Sequence, residues 1–67
     1  MTEVEIRALV LEGEAYLKIG DLRAAYGTFL RAGHKDGLIA CGNKALEEGW
    51  LDAAREAFAA AGTEMPK

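Results

Sequence analysis

Few side chains in this protein can do chemistry, and their types set narrow limits. There is one histidine, His34, and one cysteine, Cys41, and neither serine nor glutamine occurs. A zinc site takes three or four convergent ligands, more than the usual Cys and His set can supply here. A nucleophilic thiol needs exposure and a positive neighbour that lowers its pKa. Cys41 instead shares the apolar side of its segment with Leu38, Ile39, Gly42 and Ala45, so a packing role is expected. His34 stands between Gly33 and Lys35 and reads as a turn or helix-end residue rather than a base. Glu12 with Glu14, and Glu47 with Glu48, are carboxylate pairs without a partner acid or base, which makes them solvated charge. Trp50 is the largest apolar side chain. It reads as core filler or as a contact anchor, because tryptophan is enriched at interface hot spots. No catalytic residue, metal ligand or cofactor is expected; a regulatory fragment of an enzyme would have only Cys41 and His34 to draw on.

Composition narrows the class further. Sixty-seven residues make a single domain, 1–67, near the lower size limit for independent folding. About half the residues are apolar (51%), which permits a core, though a thin one. The net charge is −3 with Lys and Arg scattered, which argues against nucleic acid as a partner. No run of about 18 apolar residues occurs, so no membrane span is expected. The opening stretch, MTEVEIRALV, is acidic and lacks the basic start of a secretory signal. A single cysteine cannot bridge within the chain, and the expected location is the cytoplasm.

The elements that must carry these residues announce themselves by repetition. Residues 9–33 align with residues 38–62 at a constant offset of 29, with Gly13 meeting Gly42 and Phe29 meeting Phe58. Ten of the 25 aligned positions are identical, which marks a tandem helical repeat. The pattern predicts an all-α fold: four helices over about 3–19, 22–32, 36–48 and 51–61, arranged as two tandem antiparallel hairpins. Thr2 and Glu5 form a capping-box pattern at the first helix, and Asp21 is placed to cap the second. Gly20, Gly33, Gly49 and Gly62 supply the stops, and residues 63–67 form a short tail. Ile6, Leu9, Val10, Gly13, Tyr16 and Leu17 share the core arc of the first helix. Leu22, Ala25, Tyr26, Phe29 and Leu30 do so on the second, with Gly27 as either a close-packing site or a flaw. The fourth helix carries two stripes, one of Leu51, Ala54, Phe58 and Ala61, the other of Trp50, Ala53, Ala57 and Ala60.

This order of small and aromatic residues resembles the tetratricopeptide repeat. Gly13, Tyr16, Gly20, Ala25, Phe29 and Ala32 have the spacing of that family's signature. Gly42, Gly49, Ala54, Phe58 and Ala61 repeat it, with Ala45 where tyrosine is usual. The period departs from the family's, about 34 residues, and the usual proline after the second helix is absent. The resemblance implies a right-handed stack of hairpins and a non-catalytic role in protein–protein interaction. In larger relatives the first helices of the pairs line a peptide groove. Here that face would offer Arg7, Val10, Glu14, Leu17 and Lys18, then Ile39, Asn43 and Leu46. Val10 and Glu14 stand where a carboxylate grip wants a cation and an amide, and only Asn43 fits. A shallow apolar groove for a helix or extended segment, or plain solvent-facing surface, is the remaining expectation.

A second apolar stripe runs along the first helix: Val4, Ala8, Leu11, Ala15 and Ile19. A stack of repeats needs polar ends, and neither end looks polar here. Self-association into a homodimer is therefore expected, through that stripe or through Trp50, Ala53, Ala57 and Ala60. A protein or peptide of unstated identity is the alternative occupant.

Overall fold

The computed structural model describes residues 1–66; Lys67, the last residue of the expected tail, lies outside the described residues. Four α-helices occur in order: α1 (Glu3–Lys18), α2 (Leu22–Ala32), α3 (Lys35–Glu47) and α4 (Leu51–Ala60). Among the described residues there is no strand. The caps explain the starts. Thr2 accepts from the Glu5 amide at 3.2 Å, and the Thr2 amide donates to the Glu5 carboxylate at 3.2 Å, so two amides at the helix start are satisfied reciprocally. Asp21 accepts from the Ala24 amide at 3.2 Å. α3 begins one residue before its expected start, at Lys35, with His34 as its N-cap and no side-chain cap bond.

The α1–α2 and α3–α4 turns share one geometry, 29 positions apart. Asp21 N–H donates to the Tyr16 carbonyl at 2.9 Å, and Trp50 N–H to the Ala45 carbonyl at 2.8 Å. Gly20 and Gly49 sit at φ +81° and +79°, the left-handed region that a side chain would strain. The helix ends repeat as well: His34 N–H donates to the Phe29 carbonyl, and Thr63 N–H to the Phe58 carbonyl, both at 3.0 Å.

Packing runs α1 on α2, α2 on α3 and α3 on α4, with a smaller contact of α1 on α3. Phe29 is wholly buried and organises the centre. A Cβ at Gly13 would come within 2.5 Å of its ring, and one at Gly37, on α3, would overlap the same ring. The ring is thus lodged between two helices at their glycines. Phe58 meets only Gly42 in this way, at 2.7 Å. Gly27 has nothing within 4 Å of its missing Cβ, so it is a flaw in α2 and not a packing site.

Four expected positions are corrected. Ile6 is exposed, because α1 has 16 residues and α2 only 11, so the first turns of α1 overhang their partner. Leu30 is 48% exposed and Thr28 is buried in its place. Contact with both α1 and α3 rotates the buried arc of α2 toward Ala25 and Thr28. The Thr28 hydroxyl donates to the Ala24 carbonyl at 2.8 Å, which satisfies it without water. Leu51 is 55% exposed. Its counterpart Leu22 packs beside both core clusters, whereas no further helix lies over α4 among the described residues. Ala57, expected on an outer stripe, is buried with Ala25, Phe29, Leu38, Cys41 and Ala61. It stands 29 positions after Thr28, and the buried arc of α4 is rotated as that of α2 is.

Candidate functional site

The residues with chemical potential are not gathered. Among the described residues no group of three or more His, Cys, Asp and Glu could hold a metal ion. His34 lies against the Phe29 ring, centroids 5.5 Å apart, as the half-buried N-cap of α3. Cys41 is buried, and burial pushes its thiol from 9.0 up to about 11, the wrong direction for a nucleophile. Glu12, Glu14, Glu47 and Glu48 are exposed.

What the surface offers is apolar area. On α1 and its C-cap Ile19, Val4 (77%), Leu11 (64%) and Ile19 (75%) are strongly exposed, and Ala8 and Ala15 between them are exposed too. Helix geometry puts this stripe roughly 160° round α1 from the arc of Leu9, Val10, Gly13, Tyr16 and Leu17 that meets the core. It therefore points directly away from the rest of the fold. Beside it run Glu3, Arg7, Glu14 and Lys18, with Arg7 donating to Glu3 at 3.1 Å.

A second feature is a hollow of about 460 Å³ between α2, α3 and α4. Leu22 and Tyr26 of α2, Cys41 and Ala45 of α3, and Trp50, Ala53 and Ala57 of the α4 segment line it, with Arg23 and Glu56 contributing charge. Burial, with Glu56 and then Cys41 near, raises the Tyr26 phenol above 10.0. Trp50 is half exposed beside it. The Trp50 backbone matches that of Asp21 (φ −88°, ψ 78° against φ −88°, ψ 80°), yet Trp50 gives α4 no side-chain cap. α4 begins at an exposed indole where α2 begins at a capping carboxylate. Ala53 and Ala60 are exposed, while Ala57 belongs to the hollow's buried floor.

None of the eight residues expected to form a groove lines this hollow. Arg7, Glu14, Lys18 and Asn43 are exposed, and Val10, Leu17, Ile39 and Leu46 are half-buried against the core. The hollow lies instead beside the second helices, α2 and α4. Sequence periodicity within each helix could not reveal it, because it arises between three helices. The one local signal was Trp50 at a helix start, where a capping residue is the common choice.

No helix of the described residues is long and apolar enough to cross a membrane. No family model, curated protein or solved structure matches the chain.

Proposed function

We propose that this protein is a non-catalytic protein–protein interaction module, a tetratricopeptide-like stack of two antiparallel hairpins that self-associates. The hydrogen bonds that recur 29 positions apart and the paired Gly13–Phe29 and Gly42–Phe58 contacts support the architectural part. One observation carries the functional part: the apolar stripe of α1, exposed along its length and facing away from its own core. Burying three large aliphatic side chains is worth about 1.5–3 kcal/mol each. A partner that covers the stripe gains that energy, and a thin domain gains stability from the cover.

In this reading self-association leaves the hollow beside Trp50 free to take an apolar anchor from a second protein, as an adaptor would. The exposed stripe also fits a subunit whose function is the assembly itself. Affinity capture from the source cell tests the module, with three baits: the unaltered chain, Leu11→Glu and Trp50→Glu. The expected result is a specific partner that one of the two variants fails to retain. Identical capture by all three baits overturns the reading.

A further inference from the structure

The charges beside the α1 stripe are complementary to their own reverse order. On one flank, in order, stand Glu3, Arg7, Glu14 and Lys18: acid, base, acid, base. Consider two α1 helices laid antiparallel, stripe to stripe, about a twofold axis at Leu11. That symmetry brings each flank against the same flank of the other copy, running the opposite way. Glu3 then faces Lys18 of the second copy, and Arg7 faces its Glu14, each pair occurring twice. The same axis sets Val4 against Ile19, Ala8 against Ala15, and Leu11 against itself. Large therefore meets large at the ends and small meets small between them, which lets the helices approach closely. A parallel arrangement loses the Glu3–Lys18 and Arg7–Glu14 matches and aligns the helix dipoles unfavourably. Glu12, on the other flank, meets its own copy near the axis and is the one like-charge contact in the register.

A head-to-tail stack is the competing occupant, with α1 of one copy lying on α4 of another as α3 lies on α2. The repeat register weighs against it. Ala8 stands 29 positions before Gly37, where a Cβ would overlap the Phe29 ring. In such a stack Ala8 would bring a Cβ against Phe58. Met65 already packs on the Phe58 cluster there.

We infer that the occupant of the α1 stripe is a second copy of this chain, paired antiparallel about a twofold at Leu11, with Arg7–Glu14 and Glu3–Lys18 pairs setting the direction. This rests on the reading of the protein as a self-associating module and specifies its partner. Exposed pairs of this kind add little affinity but exclude the wrong orientation.

The test uses the full chain. Sedimentation equilibrium across micromolar concentrations is expected to show a closed dimer, twice 7.2 kDa. Leu11→Glu is expected to weaken it about thirtyfold or more, the scale of a hot-spot loss, and Trp50→Glu to leave it unchanged. Arg7→Glu weakens the dimer, and adding Glu14→Arg restores it. Oxidative coupling reads the direction. Leu11→Cys couples to itself, and Val4→Cys couples to Ile19→Cys in a mixture. Val4→Cys does not couple to itself, since the two positions lie about 21 Å apart along the antiparallel pair. A monomer at all concentrations, open-ended growth, a dimer indifferent to Leu11→Glu, or self-coupling of Val4→Cys each overturns the twofold. A monomer that still captures another protein through the stripe removes this inference alone. Capture that ignores both Leu11→Glu and Trp50→Glu removes the module reading as well.

Discussion

Two glycine-to-alanine substitutions in neighbouring helices should move stability in opposite directions. Gly27 and Gly37 both lie inside helices, so each replacement gains about 0.8–1.0 kcal/mol of helix propensity. At Gly27 the new methyl group meets nothing within 4 Å, and the gain stands alone. At Gly37 it would overlap the Phe29 ring. That ring cannot retreat, because Gly13 holds it closely from the other helix and Phe29 is wholly buried. Overpacking of this kind costs about 1–3 kcal/mol. The propensity terms cancel in a comparison of the two variants, which leaves a difference of about 1–3 kcal/mol from sterics alone. Thermal and urea melts followed by far-UV circular dichroism, at one protein concentration, read it. Gly27→Ala should raise Tm by about 4–8 °C, the scale of 1 kcal/mol for a domain this small. Gly37→Ala should fall well below it, Gly13→Ala should behave similarly, and Gly42→Ala should be milder because Phe58 is gripped from one side only. Equal stability of Gly27→Ala and Gly37→Ala, within about 0.5 kcal/mol, would refute the lodged-ring argument.

Further outcomes follow from the same geometry. Phe29→Ala should cost about 3–5 kcal/mol and leave much of the chain unfolded at room temperature, read by urea titration. Trp50→Asp should be more stable than Trp50→Ala by about 0.5–2 kcal/mol, since an Asp there can cap the Ala53 amide as Asp21 caps Ala24; equal melting would remove the capping argument. The Cys41 thiol, raised to about 11, keeps its proton in the folded chain while the unfolded chain loses its own near 9.0. Stability should therefore decline as pH rises from 9.0 toward about 11, and Cys41→Ala should abolish that part of the decline. At pH 8 the native thiol should react with a disulfide reagent roughly a hundredfold more slowly than the denatured one.

How far the fold was legible depends on which contacts the repeat encodes. The caps at Thr2 and Asp21, the stops at Gly20 and Gly49, and the Gly13–Phe29 pairing all lie within one helix or between two consecutive ones, where helical periodicity and the 29-residue register both act. Gly37 is not marked by the repeat, because its partner in the register is Ala8. Its role arises only where α3 lies on α2. Thr28 and Ala57 are hidden for another reason: they hold matching places in the buried arcs of α2 and α4, and neither is typed as core by its residue class. Ile6 was misplaced because periodicity assigns a face but not the length of the partner covering it. The α1 stripe was visible, since it is a second periodic pattern on one helix. The hollow beside Trp50 was not, because its walls come from three helices.

The Cα trace spans only 12 Å in its thinnest direction, against 35 Å and 25 Å in the others. A plate so shallow has almost no interior that water cannot reach by a small fluctuation. Amide exchange should therefore show brief, frequent openings throughout, with protection concentrated near Phe29. A second copy covering the α1 stripe, as proposed, would add dry volume to the chain, and lifetime in the cell should then follow occupancy by mass action. For such a protein, concentration acts as a structural variable alongside sequence.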